Sequence, residues 1–370
     1  MELKEISLSD FRNIRQETVL FESGANALIG ENGQGKTNLL EAIYFLACGK
    51  SFRNSRYREL ICHQKEKAVL SAKIHGGGSD FELRVELDRK EGKSIYKNGC
   101  KIEKLSRFLG LFRVVLFCPE HLQLVKSAPK LRRSFLDGAI CQLRPYYASL
   151  LNEFLKTEAQ RSALLKNCSR TGRVPEELIT VWDEKISTVA AKISMYRKEY
   201  LDRLCLLAPE NYRQIAGGRE KMVLSYQSDV FREGFSEEET AKAYRELLKE
   251  NREADLKYGF TQKGPHRDDF SIQIDSYPAR LYASQGQQRS AVLALKLAEG
   301  EISRAETGEE PLILLDDVLS ELDESRRNFI TAGFSSRQSI LTGTDEDNFH
   351  FTEKKIFVKG GTFRDEKPVL

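Results

Sequence analysis

Short alternations of apolar and polar residues open the chain, and residues 3–8, 17–21 and 26–29 read as strands. A glycine cluster follows. After Lys36 the apolar positions Leu39, Leu40, Ile43, Tyr44, Leu46 and Ala47 fall on one helix face. Residues 67–103 return to strand alternation, with Asn98-Gly99 as a hairpin turn, and 113–117 has the pattern of a buried strand. From Pro119 to about Asn251 the pattern is mainly helical, apart from a strand-like piece at 222–226. Its clearest seam runs through Ile179, Trp182, Ile186, Val189, Ile193, Tyr196, Tyr200, Leu204 and Leu207 in steps of three and four. At 1.5 Å per residue it spans about 43 Å, enough for a helical hairpin or short arm and too short for a long coiled coil. After Gly259 the alternation resumes: strands at 270–274, 311–315, 339–341 and 355–358, helices at 285–302 and 324–334.

This order predicts an α/β fold built from the two ends of the chain, 1–118 with 260–370, and a mainly helical domain, 119–259, inserted between them. The length of 370 residues suits two domains. Composition adds exclusions: 40% hydrophobic and 31% charged residues rule out a disordered or low-complexity chain. The net charge of +3 rules out indiscriminate coating of nucleic acid, so any polyanion site must be local. Two segments offer one: Lys50, Arg53, Arg56 and Arg58, and the stretch from Lys126 to Arg173, where ten basic residues face three acidic ones. The seven cysteines lack Cys-x-x-Cys spacing and read as reduced thiols. With no apolar run of membrane-spanning length and no leader pattern at the start, the expectation is a cytoplasmic protein with no membrane partner.

Candidate chemistry lies in three places. Gly30-Glu31-Asn32-Gly33-Gln34-Gly35-Lys36-Thr37 fits G-x-x-x-x-G-K-[ST] between a strand pattern and a helix pattern, the setting a phosphate loop requires. Backbone N–H groups can surround nucleotide phosphates there, Lys36 can reach the β and γ phosphates, and the Thr37 hydroxyl can bind Mg2+. Leu312-Ile313-Leu314-Leu315-Asp316-Asp317 is an apolar strand ending in two acids, the form of a Walker B site. Asp316 would hold Mg2+ through its water shell, and Asp317 would orient or deprotonate an attacking water. Ser284-Gln285-Gly286-Gln287-Gln288-Arg289 precedes that strand at a helix start. Its hydroxyl, its glycine and the positive helix end suit a γ-phosphate, although Ser284 also fits a plain N-cap. Such an element ahead of Walker B points to an ABC-type ATPase, where it serves the nucleotide of the opposite subunit. Ser320-Glu321-Leu322-Asp323 has the form of the D-loop along that seam. Basic residues in the two segments, among them Arg53, Arg56, Lys130, Arg132 and Arg133, would line a groove for a phosphate backbone, with little base reading.

With these motifs in place, the whole chain resembles the RecF family of bacterial recombination mediators. The likeness rests on Leu8-Ser9-Asp10-Phe11-Arg12-Asn13, Gly30 to Asn38, Pro119-Glu120-His121-Leu122, Leu131-Arg132-Arg133-Ser134-Phe135-Leu136-Asp137, Gly264-Pro265-His266-Arg267-Asp268-Asp269 and Asp316 to Asp323. It implies an ABC-type ATPase head related to SMC proteins, with a compact second domain in place of long coiled coils. It further implies ATP and Mg2+ as cofactors, an ATP-dependent homodimer and slow, DNA-stimulated hydrolysis. Single-stranded and gapped duplex DNA, RecR with RecO, and RecA placed at gaps during the SOS response are the implied partners. The nucleotide site it implies consists of Arg12, Gly30, Glu31, Asn32, Gly33, Gln34, Gly35, Lys36, Thr37 and Asn38, with Ser284, Gly286 and Gln287 supplied across the dimer. The chain departs from the pattern at Ser127, where the family has glycine. It has no switch histidine between 339 and 345, leaving Thr342 or Thr344, and it carries Asp317 where most ABC ATPases have glutamate. The last two departures argue for slow turnover. Glu120 or Gln123 stands for the Q-loop glutamine. A nucleotide-gated ABC-type subunit with another partner, a small-molecule kinase and a scaffold that never hydrolyses ATP are the competing readings.

Overall fold

The computed structural model describes residues 1–171, 175–319, 322–323, 326–327, 329, 331 and 337–366. Backbone packing divides the chain into two units: Met1–Leu122 with Glu210–Glu220 and Ser284–Leu370, and Gln123–Pro209 with Lys221–Ala283.

The first unit contains two six-stranded sheets. One is antiparallel, β2-β1-β4-β5-β6-β7, formed by β1 (Glu2–Phe11), β2 (Ile14–Leu20), β4 (Lys67–Gly76), β5 (Ser79–Asp88), β6 (Gly92–Lys97) and β7 (Cys100–Lys101). Its strands alternate buried and exposed side chains, as one-sided burial requires. The expected turn at Asn98-Gly99 joins β6 to β7 with φ of 49° and 76°, the twin positive values of a tight hairpin. The other sheet runs β15-β14-β3-β13-β12-β8: β3 (Ala25–Ile29), β8 (Val114–Phe117), β12 (Leu312–Leu315), β13 (Ser339–Gly343) and β14 (Lys354–Lys359) are parallel, and β15 (Thr362–Arg364) is an antiparallel edge. All four residues of β8 and β12 and all five of β3 and β13 are buried, which is why β8 and β12 read as continuous apolar runs. Helix α1 (Lys36–Cys48) leaves β3, and α2 (Leu105–Phe108) precedes β8.

The second unit is mainly helical: α3 (Gln123–Lys126), α4 (Pro129–Leu143), α5 (Pro145–Thr171), most of α6 (Glu176–Ile215), α7 (Glu237–Glu250), α8 (Arg252–Tyr258) and α9 (Ala279–Tyr282). The seam foreseen from 179 to 207 is the buried face of α6, with Ile179, Ile186, Ile193 and Leu204 almost fully buried, so these residues build a core. Beside the helices lies a small antiparallel sheet, β11-β10-β9, of β9 (Met222–Gln227), β10 (Asp269–Ile274) and β11 (Tyr277–Pro278). This pairing explains where the unit borders differ from 118/119 and 259/260. Strand β10 finds its partner in β9, so 260–283 packs with the helical unit, and Ser284 begins the return to the first. Helix α10 (Gln285–Thr307) follows. Of the helix foreseen at 324–334, Arg326, Arg327, Phe329 and Thr331 are helical and the rest lies outside the described residues. No helix among the described residues is long and apolar enough to cross a membrane.

The helical unit is pinned by buried charge. Arg161, fully buried, donates to Asp183 (2.7 Å), Asp255 (2.6 Å) and Thr261 (3.0 Å), joining α5, α6, α8 and the loop after α8. Removing one partner of such a network leaves the others charged in a medium that solvates them poorly. Arg161→Ala should therefore lower the unfolding free energy of the helical unit by about 3–5 kcal/mol, measured as a shift of its urea midpoint.

Candidate functional site

Strand β3 ends at Ile29 in the middle of the parallel sheet, with β13 and β14 on its two sides, and the glycine-rich loop leaves from its carboxyl end. Gly33 and Gly35 take φ of 80° and 119°, conformations that side-chain-bearing residues avoid. At Gly30 a Cβ would stand 2.3 Å from the Val358 carbonyl oxygen of β14. The loop thus turns tightly into α1, whose N-cap, Gly35, brings no side-chain cap to the first-turn N–H groups. Those N–H groups and the positive helix end face a cavity of about 250 Å³ lined by Asn32, Gly33, Gly35, Lys36, Thr37, Asn38, Arg53, Asp317 and Thr342. The Lys36 ammonium donates to the carbonyl oxygens of Gly30 and Glu31. Burial holds its pKa below the ordinary lysine value, against the pull of Asp317 and Asp316.

The two acids arrive from strand β12, one strand beyond β13. The Thr37 hydroxyl donates to Asp316 Oδ1 at 2.9 Å, and Thr342 at the end of β13 donates to the same oxygen at 2.9 Å. Thr342 Oγ1 in turn accepts the Asp317 N–H at 2.8 Å. Asp317 adopts φ of 51°, the left-handed region, which fixes the turn after the strand. Thr342, named from sequence as a polar substitute for the missing histidine, is thus the brace between the acids; Thr344 is exposed. Burial raises the Asp316 pKa, with the two threonine hydrogen bonds opposing the shift. Glu120 adds to the rise through its charge and so stands on the Asp316 side. Gln123 instead accepts from Ser127 within the helical unit. Glu120 is therefore the better placed of the two Q-loop candidates.

Gln34 was named from sequence as part of the phosphate loop, but the residues that brace it, Asn13 and the Gly360-Gly361 turn, were missed. Gln34, at the loop crest, accepts the Gly361 N–H at 2.8 Å through its carbonyl and the Gly360 N–H at 2.7 Å through its side chain. Asn13, in the turn after β1, donates to the Gln34 carbonyl (3.2 Å) and accepts from Asn38 (2.8 Å). A Gly-Gly turn between two apolar strands was the available signal at 360–361, but nothing in sequence says which loop it touches.

Arg12 lies outside the cavity lining. It forms a two-pronged pair with the buried Glu41 of α1 (2.8 and 2.9 Å) and reaches Ser55 at 2.6 Å, so it fastens the 51–59 loop to α1. That loop delivers Arg53, which donates to Asn38 at 3.1 Å and lines the phosphate cavity. Arg56 and Lys130 are exposed. Arg132 requires a correction: it is buried, pairs with Asp269 through two hydrogen bonds of 2.7 Å and donates to the Leu124 and Ser127 carbonyls. Held by these four hydrogen bonds and buried, it is a structural residue of the helical unit and is not available to a phosphate backbone. Arg133 is half-buried and donates to the Asp268 carbonyl at 2.8 Å.

Ser284, Gly286 and Gln287 are absent from the cavity of their own chain. Ser284 is the N-cap of α10, accepting from the Gln287 N–H (3.2 Å), while the Gln287 side chain accepts the Ser284 N–H (2.8 Å) and donates to Glu220 (3.0 Å). The N-cap and the proposed ligand role coexist, because the capping oxygen accepts and its own proton stays free. Ser284 and Gln285 are exposed. Of the D-loop motif, Leu322 is buried and Asp323 is exposed; Ser320 and Glu321 lie outside the described residues.

The model of the RecF/RecN/SMC N terminal domain matches residues 2–359. A DNA replication and repair protein RecF from an Exiguobacterium species is 41% identical, covering 99% of this chain and all of its own. The chain belongs to the RecF family. A second RecF, from Halothermothrix orenii, is 39% identical over 95% of this chain and 94% of its own. A solved structure of the recombination mediator protein RecF-ATPrS in the RecFOR pathway superposes with a TM-score of 0.93 at 35% identity, covering 98% of this chain and 97% of that one. An SMC head bound to the C-winged helix domain of ScpA reaches 0.58 at 14% identity and shares the fold. As a RecF-family chain this protein has the SMC/ABC-type α/β head expected from its sequence.

Two outcomes test the site. Gly361→Ala would place a Cβ 2.4 Å from the Asn13 carbonyl oxygen at a φ of 81°, so it should push the brace off Gln34 and weaken nucleotide affinity about tenfold, roughly 1.4 kcal/mol, in fluorescent-nucleotide titrations. Because the Asp316 carboxyl is held above its ordinary 3.8, its charged form is lost at a higher pH than usual on acidification. The Mg2+ enhancement of nucleotide affinity should accordingly decline on moving from neutral to acidic buffer, and Asp316→Asn should remove both the enhancement and its pH dependence.

Proposed function

We propose that this chain is an ATP-binding, slowly hydrolysing DNA repair and replication protein whose two copies close around two ATP molecules. The observation that carries the reading is the division of labour in one chain. Lys36, Thr37 and Asp317 line one cavity, with Asp316 hydrogen-bonded to Thr37, whereas the exposed Ser284 and the α10 N-terminus are absent from it and keep a donor free. A second copy supplying Ser284 and Gly286 would complete the phosphate cage. In that cage the first-turn N–H groups of α1 bind the phosphates and Lys36 turns from the loop carbonyls to the β and γ oxygens.

Magnesium would be held by Thr37 Oγ1 and Asp316 Oδ1, hard oxygen donors already 2.9 Å apart, and would neutralise charge on the transferred phosphoryl group. No group of three acidic, histidine or cysteine ligands exists among the described residues, which suits an ion carried in largely on phosphates and water. Asp317 orients the attacking water, and its short side chain favours slow turnover. ATP closure then presents a surface to single-stranded and gapped duplex DNA, and the complex, with RecR and RecO, helps place RecA at gaps. The RecF names of the relatives and the RecFOR setting of the solved structure support this reading.

Sedimentation velocity tests it. The wild type should shift from monomer to dimer on adding ATP and Mg2+, and Lys36→Met should remain monomeric under the same conditions. A dimer formed equally by both proteins, or by neither, rejects ATP gating. Phosphate release stimulated by DNA and unchanged by small metabolites separates the reading from a kinase.

A further inference from the structure

We infer that the ATPase unit carries a phosphate-backbone site for duplex DNA along the β6–β7 edge of its antiparallel sheet, formed where two basic segments distant in sequence meet at Gly49. The inference rests on the DNA-binding reading above and assigns its surface.

From Arg89 to Arg107 seven basic residues stand against two acids, Glu91 and Glu103. The structure joins this segment to the one beginning at Lys50. The Lys93 ammonium donates to the Gly49 carbonyl at 2.8 Å, and Leu105 lies 3.6 Å from the position a Cβ would take on Gly49. Lys104 and Arg107, on either side of Leu105, are therefore brought beside Lys50, and Lys101 follows along the edge strand. Lys101, Lys104 and Arg107 are exposed, and none of them, nor Lys50, forms an ion pair among the described residues. Lys93 is committed to Gly49 and to the face of Phe45 (5.6 Å), so it joins the segments and leaves binding to the others.

The helical unit shows the opposite arrangement. Its basic excess is partly spent internally: Arg132 on Asp269, Arg161 on Asp183 and Asp255, and Arg197 on Asp137. Cations already neutralised by buried carboxylates release few counterions from a polyanion, whereas the exposed, unpaired set around Gly49 can. Strongly hydrated lysines at an edge strand, without exposed stacking aromatics between them, fit the evenly spaced phosphates of a duplex better than unstacked bases.

The test uses the full-length protein with ATP, Mg2+ and a fluorescein-labelled 30-base-pair duplex of random sequence, with anisotropy read across a KCl series. The combined change Lys50→Gln, Lys104→Gln, Arg107→Gln should weaken binding at least about tenfold near physiological salt and flatten the log–log salt slope by roughly 2–3, as expected for the loss of three phosphate contacts. The charge-keeping set Lys50→Arg, Lys104→Arg, Arg107→Lys should bind within about twofold of wild type, and so should Lys130→Gln, Lys156→Gln, Lys166→Gln on the helical unit. Wild-type affinity and slope in the first set, or a larger loss in the helical set, overturn the assignment while DNA binding itself stands. Absence of wild-type binding at every salt concentration overturns the DNA reading and the surface with it. Unchanged ATP affinity in each variant verifies that the fold is intact.

Discussion

A hydrogen bond between Thr37 and Asp316, residues 279 positions apart, gives the nucleotide site its geometry. It exists because β3 and β12 are separated by the single strand β13 in a parallel sheet, so the segments leaving their carboxyl ends emerge side by side. Thr342, leaving β13, fills the gap and ties both acids. The crevice outside the carboxyl ends of a parallel sheet is where α/β folds place ligands, and here the constraint is met by two hydroxyls that donate to one carboxylate oxygen.

The same logic runs outward from the loop. Gln34 is held by the Gly360-Gly361 turn near the end of the chain and by Asn13 near its start, so the phosphate loop is braced at its crest as well as at its base. Arg12 and Glu41 extend the brace to the loop that carries Arg53. A flexible glycine turn would lose entropy on closing around phosphates; fixing it beforehand removes much of that cost. Charge is treated differently in the two units. The helical unit buries it in Arg161 and Arg197 networks that specify packing, and the ATPase unit leaves it exposed along a sheet edge.

Much of this was legible in the sequence, because the relevant signals are local. The phosphate loop, the apolar strand ending in Asp316-Asp317 and the serine-led helix each depend on a run of neighbouring residues whose periodicity and turn chemistry are visible one segment at a time. The Asn98-Gly99 hairpin and the α6 seam follow for the same reason. Sequence therefore determined the elements, their order and the chemistry at their ends.

Tertiary structure decided which charges are free and which loops touch. Arg132 and Arg53 look alike in a list of basic residues, yet Asp269 takes the first into a buried pair and α1 turns the second toward the phosphate cavity. The border of the helical unit likewise depended on β10 choosing β9 as its partner, and the brace on Gln34 on a turn more than three hundred residues away. Long-range pairing is selected by the whole packed assembly, through burial and satisfied hydrogen bonds, and leaves no periodic trace in the segments it joins.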